Sequence, residues 1–223
     1  LHGPACTYVG HPLIERLGEL RPDPVEAEAR MTGRPVLAIL PGSRRSEIER
    51  LMPVFGATLA RLTARFGPIE AVLPAVTRHR ALIERLALAW DSPVTLVHGE
   101  AAKHATFRRA RAALAASGTV TLELALAGVP MVVAYKVSRI EEAVARRLIQ
   151  VPTIVLPNLI LGRNAMPEFI QAECTAPRLA EAVAPLLAGE PAREAQVDAL
   201  ARIDSLMRLP DDEPPSRSAA RIV

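Results

Sequence analysis

The chain has 223 residues, half of them hydrophobic and 23% charged, a balance that excludes a disordered polypeptide and leaves room for a large buried core. Its formal charge of +3 is carried almost wholly by arginine, which suits anionic small molecules or an anionic lipid surface. Only seven residues are aromatic, which argues against a base-stacking nucleic-acid platform, and Gly, Pro and Glu123 break the apolar stretches too often for a bilayer span. Cys6 and Cys174 form no motif, so a reduced, cytosolic protein is the simplest expectation.

The opening Leu1-His2-Gly3-Pro4 has no initiator Met and no signal peptide, and reads as the interior of a longer chain. Residues 1–12 are rich in turn formers and read as a linker ending at His11-Pro12. Asp23-Pro24 places an N-cap before a Pro at the first helical position and opens a short helix to Met31. Val36 to Leu40 is a continuous apolar run, the pattern of a strand buried on both faces of a parallel sheet. After the loop Pro41-Gly42-Ser43-Arg44-Arg45, Ile48, Leu51, Met52, Phe55, Leu59, Leu62 and Phe66 recur at helical spacing until Gly67-Pro68.

The alternation continues. Strands are predicted at 71–73, 94–97, 112–115 and 131–135, with helices at 78–89, 101–110, from about 119 to Gly128, and 140–148. Such alternation predicts an α/β, Rossmann-like, doubly wound parallel sheet with ligands at the carboxyl ends of its strands. Past Gln150 prolines break the texture. Helices follow at 176–187 and 192–207, and the proline-rich, charged tail from Pro210 is expected to fray. The predicted organisation is thus a linker (1–12), a Rossmann-like domain (13–175) and trailing helices with the tail (176–223).

Two loops carry candidate chemistry. Ala116-Ser117-Gly118-Thr119 joins a strand to a helix, so its backbone N–H groups and the helix dipole make an anion site, with Glu123 one turn in, placed to accept sugar hydroxyls. The plainer reading of the same residues is a capped helix with Glu123 offsetting its dipole. Gly42, Ser43 and Arg44 offer close backbone approach, a hydroxyl and a guanidinium fork, or else a simple turn with a solvated Arg. No Gly-x-Gly-x-x-Gly, Walker, His-Glu-x-x-His or Gly-x-Ser-x-Gly pattern occurs, so the usual nicotinamide and ATP cradles, zinc sites and serine elbows are not expected.

Tyr8-Val9-Gly10-His11-Pro12, Leu40-Pro41-Gly42-Ser43-Arg44, Ser117-Gly118-Thr119 with Glu123, Pro130 to Tyr135, and Leu156-Pro157-Asn158-Leu159 together resemble lipid-A-disaccharide synthases, in order and rough spacing, from about Tyr8 to Met207. The resemblance implies the C-terminal nucleotide-binding domain of a two-Rossmann-domain (GT-B) glycosyltransferase, its N-terminal domain and proposed catalytic carboxylate lying outside this chain. The family moves 2,3-diacylglucosamine from UDP to 2,3-diacylglucosamine 1-phosphate (lipid X) with inversion, forming the β-1,6 disaccharide of lipid A. Carried over residue by residue, Gly42, Ser43, Ser117, Gly118 and Thr119 would receive the diphosphate. Arg44 would neutralise the leaving group, Glu123 would hold the ribose, and Val97 and His98 would face uracil through their backbone.

Asn158 would be catalytic, with His11 and Gln171 as further active-site polar residues. The resemblance implies no cofactor, metal or nucleic acid. It implies work at the cytoplasmic face of the inner membrane, on an anionic surface, and a homodimer made by exchanging C-terminal segments. Arg139, Arg146, Arg147 and Arg163 around residues 148–161 would form the membrane-facing patch, or else an ordinary solvated face. Two other readings stay open: another UDP-sugar enzyme of this fold, such as a UDP-N-acetylglucosamine 2-epimerase, and a non-catalytic nucleotide-binding module.

Overall fold

The computed structural model describes residues 6–137, 152–209, 211 and 213–222. Six parallel strands form one sheet in the order β3-β2-β1-β4-β5-β6. They are β1 (Val36–Leu40), β2 (Glu70–Ala75), β3 (Thr95–His98), β4 (Ala112–Ala116), β5 (Met131–Tyr135) and β6 (Glu168–Ile170). β1 lies between β2 and β4, pairing Leu37 with Ala71 on one side and Ala112 on the other. The chain therefore winds outward in one direction through β2 and β3, then returns across β1 to wind the other way. That reversal opens a crevice beyond the carboxyl ends of β1 and β4.

The central strands are apolar throughout because both faces are covered. Leu37, Ile39, Ala112, Leu114, Ala116, Val132 and Ala134 point into one core. It is closed by α3 (Arg45–Phe66), α4 (Arg80–Ala87) and the helix Ala176–Ala188, whose Leu179 and Val183 are fully buried. Ala38, Leu40, Ala113, Ala115, Met131 and Val133 point into the other. Its cover is built from α1 (Leu17–Leu20), α5 (Glu100–Arg109), α6 (Val120–Leu126), α7 (Leu156–Leu161) and the stretch 200–207. The strict alternation between two cores is the period-two geometry of a pleated strand.

Most local signals are realised as read. Asp23 accepts from Glu26 N–H (2.8 Å) and Glu26 accepts from Asp23 N–H (3.1 Å), a capping box that starts α2 (Pro24–Thr32). In α3 every residue of the expected stripe is buried except Phe66, which lies 39% exposed at the last turn under Arg65. The segment predicted as one helix over 78–89 starts as a single 3-10 turn, Thr77–His79. The segment 192–207 is two helices, Pro191–Leu200 and Ile203–Met207.

The pattern did not mark the short helical stretch Pro12–Leu20, α7, the edge strand β6 or the single turn Gln171–Glu173. The tail does not fray throughout. Residues Pro215–Ile222 form a helix, and Ser216 N–H donates to Glu15 (2.7 Å). Gly10, at φ +83°, lies so close to Pro215 that a Cβ there would meet the ring at 2.8 Å, and Tyr8 donates to the Met207 carbonyl (3.0 Å). The Tyr-Val-Gly-His segment thus clasps the end of the chain. The helix expected over 140–148, with Arg139, Arg146 and Arg147, lies outside the described residues, and no described helix is long and apolar enough to cross a membrane.

Candidate functional site

A cleft of about 520 Å³ lies at the crevice between β1 and β4. It is walled by the loops after β1 (Gly42, Ser43, Arg44), β2 (Val76, Thr77), β3 (Gly99) and β4 (Ser117 to Val120). Its volume falls in the range of small-molecule sites, about 300–1,000 Å³.

In the loop after β4, Gly118 takes φ +150° with open space where a Cβ would stand. Thr121 and Leu122 N–H turn back to the carbonyls of Gly118 (3.1 Å) and Thr119 (2.9 Å). Gly118, Thr119 and Val120 precede those bonds and carry the helix-initiating donors, and all three residues line the cleft. The capping alternative fails on geometry. Thr119 makes no side-chain cap, and the Ser117 hydroxyl donates instead to the Ile154 carbonyl (2.7 Å), tying segment 152–155 to the site.

The loop after β1 is built differently. The buried Glu47 carboxylate accepts from Ser43 N–H (3.1 Å), Arg44 N–H (3.2 Å) and the Arg44 guanidinium (2.9 Å). Arg78 in turn donates to the Ser43 carbonyl (2.5 Å). Gly42, at φ +107°, is required here, because a Cβ would stand 2.5 Å from the Glu47 carboxylate. The Ser43 and Arg44 N–H groups are therefore already taken. This loop offers a ligand side chains, the Ser43 hydroxyl and an Arg44 guanidinium 72% exposed at the mouth.

Glu123 lines the cleft from the first turn of α6, its side chain 11% exposed. It is not alone there. Lys103, which the sequence reading passed over, extends from α5 and places Nζ 3.0 Å from Glu123 and 3.0 Å from Glu100. The Lys103 hydrogen bond holds the Glu100 carboxyl below its ordinary pKa. Glu100, His104 and Glu123 each offer an atom within 4.8 Å of the others, the spacing of a metal site. The ammonium of Lys103 stands between the two carboxylates and fills the place a cation would take. Burial, followed by the Lys103 charge, lowers the His104 pKa. One signal could have found Lys103: it and Lys136 are the only lysines among 27 basic residues.

The remaining expected site residues lie away from the cleft lining. Val97 and His98 end β3, an edge strand, and the cleft lining starts at the next residue, Gly99. His11 uses Nδ1 to accept from Leu13 N–H (3.2 Å), capping the first helical turn, and burial lowers its pKa. Gln171 sits at φ +51° beyond β6, and its side-chain oxygen accepts from Val137 N–H (2.9 Å). Asn158 is not brought to the cleft. At 1% exposure, its oxygen accepts from Ala165 and Met166 N–H (3.0 and 2.9 Å) and its nitrogen donates to the Met166 carbonyl (2.9 Å). Its amide is spent folding the 158–166 turn that leads into β6.

The family model described as lipid-A-disaccharide synthetase matches residues 2–221. A lipid-A-disaccharide synthase from Rhodopseudomonas palustris (strain HaA2) is 48% identical over 219 residues, covering 98% of this chain and 56% of that protein. The chain thus spans about half the length of the curated relatives it matches. Among solved structures, a protein assigned as a UDP-N-acetylglucosamine 2-epimerase from Listeria monocytogenes superposes with a TM-score of 0.60 at 15% identity, over 96% of this chain and 52% of that one. WaaG, a glycosyltransferase involved in lipopolysaccharide biosynthesis, gives 0.53 at 17% identity, over 90% and 52%. At those identities the likeness is one of fold: the α/β Rossmann-like unit of GT-B enzymes.

Proposed function

The chain belongs to the lipid-A-disaccharide synthase family, and on that premise we propose that it is the donor-nucleotide half of a glycosyltransferase that moves 2,3-diacylglucosamine from UDP to 2,3-diacylglucosamine 1-phosphate. The products are the β-1,6-linked disaccharide 1-phosphate and UDP. The observation that carries this reading is the cleft at the strand-order reversal, lined by the Gly118 loop and by Glu123. The diphosphate lies on the N–H groups of Gly118 to Val120, which a carboxylate-filled loop after β1 does not compete for. Glu123 accepts the ribose hydroxyls, and the uracil reaches toward Gly99 at the end of the outer strand β3.

In the inverting reaction the acceptor hydroxyl attacks the anomeric carbon from the face opposite the diphosphate. The C–O bond to UDP breaks, and negative charge grows on the departing β-phosphate oxygens. The α6 donors and the Arg44 guanidinium stabilise that charge, with the helix end already oriented before reaction. Arg44 uses one of its five donors on Glu47, so the rest remain for the phosphate. The base that takes the acceptor proton belongs to the part of the enzyme outside this chain. Because both substrates carry acyl chains, the whole enzyme works at a membrane surface, and the exposed Leu159, four positions before Arg163 in the sequence, supports contact there. A homodimer formed by exchanged C-terminal segments belongs to the same reading.

Calorimetric titration of this chain with UDP, with ADP and NAD as controls, tests the reading. UDP is expected to bind selectively. Glu123→Ala is expected to weaken UDP by about 1–3 kcal/mol, because charged hydrogen bonds to the ribose are lost. Equal affinity for the three nucleotides, or unchanged UDP binding in the variant, would assign the cleft to another ligand.

A further inference from the structure

Lys103 lies in the first turn of α5 with its side chain 18% exposed. Its ammonium straddles the Glu123 carboxylate, 3.1 Å from Oε1 and 3.0 Å from Oε2, and also reaches Glu100 at 3.0 Å. Glu100 pairs with Arg16 (3.5 Å), and the buried His104 Nε2, which makes no hydrogen bond, lies 3.6 Å from it. Glu19 joins the group by pairing with Arg16 (2.8 Å) and His104 Nδ1 (3.2 Å). The cluster holds Lys103 from behind and leaves its front on the cleft.

Two carboxylates around one ammonium leave this spot net negative, so it repels a phosphate and suits a neutral polar group. A carboxylate only accepts hydrogen bonds and an ammonium only donates them, whereas a hydroxyl does both. A hydroxyl set between them donates to Glu123 and accepts from Lys103, satisfying both its functions at once. We propose that Lys103 and Glu123 together read one hydroxyl of the ribose diol, so that the cleft selects a ribonucleoside diphosphate over the corresponding deoxy form. The proposal rests on the nucleotide reading above and adds a residue and a selectivity to it. A site built to hydrogen-bond a hydroxyl rejects the analogue lacking it, because its polar groups are then left short of a partner.

The test is titration of this chain and of Lys103→Met with UDP, 2′-deoxy-UDP and 3′-deoxy-UDP, with thermal unfolding to check folding. The wild-type chain is expected to prefer UDP over one of the deoxy forms by about tenfold to a hundredfold. In Lys103→Met, UDP binding falls by about tenfold while that deoxy form binds as before, so the selectivity collapses. Lys103→Arg, which keeps a cationic donor, restores part of it. Lys103→Gln serves the same comparison if the Met variant fails to fold. Equal weakening of all three ligands makes Lys103 a general support and overturns the proposal, as does unchanged selectivity. A wild-type chain that binds no UDP overturns the nucleotide reading itself, an outcome visible before any variant is made.

Discussion

Replacing Arg30 by alanine is expected to lower stability by about 3–5 kcal/mol. Arg30 is 9% exposed and has no carboxylate within its hydrogen bonds. Its guanidinium donates to the carbonyls of Phe107 (2.8 Å), Arg108 (3.0 Å), Ala127 (3.1 Å) and Gly128 (3.1 Å). These are the final carbonyls of α5 and the turn that ends α6, where helix dipoles concentrate negative partial charge. Burial, with the nearby Arg193 charge, lowers its pKa to about 10, still far above neutrality, so it remains a cation.

Truncation removes the charged donor from four carbonyls at once and opens a cavity. Thermal unfolding should show the midpoint falling by roughly 10 °C. Arg30→Lys is expected to recover only a fraction, since a point charge with three donors cannot span four acceptors. A shift below about 2 °C would mean that water replaces the guanidinium at little cost. The residue matters to the cleft as well as to the core. It ties together the far ends of the two helices whose near ends present Lys103 and Glu123.

The second large effect is kinetic. On the proposed function, Arg44→Ala in the full-length enzyme is expected to lower kcat by about 10²–10³ with little change in KM. In the free protein the guanidinium is solvent-exposed and paired with Glu47, so it has little to gain from a ground-state diphosphate. In the proposed reaction its contribution would grow as charge develops on the departing UDP, which is transition-state and not substrate binding. Initial-rate measurement over a range of donor concentrations separates the two. A raised KM with unchanged kcat would reassign Arg44 to ground-state binding.

How much of this was legible in the residues differs from element to element. β1 and β5 were readable to the residue, because a strand buried on both faces must be apolar at every position. The start of α2 was readable from Asp23 and Pro24, and the Gly118 loop from small residues between an apolar strand and a helix. β6 was not readable. Glu168–Ile170 is three residues long and half-buried, and only pairing with β5 makes it a strand. The six residues of α7 carry too short a pattern to mark a helix.

The candidate site divides along the same line. The residues that shape loops, Gly42 and Gly118, announce themselves through backbone chemistry that acts within a few residues. Glu47 closing over two N–H groups, Asn158 folding the 158–166 turn, and Lys103 meeting Glu123 from another helix do not. By itself the sequence determined the alternation of strands and helices, the buried faces and the two loops that follow β1 and β4, since hydrophobic periodicity and turn chemistry are local. Only the tertiary structure decided the strand order 3-2-1-4-5-6, the crevice it opens, and which side chains meet inside it. Those depend on contacts such as Lys103 with Glu123, twenty positions apart on different helices, whose geometry exists only once both cores have packed against the sheet.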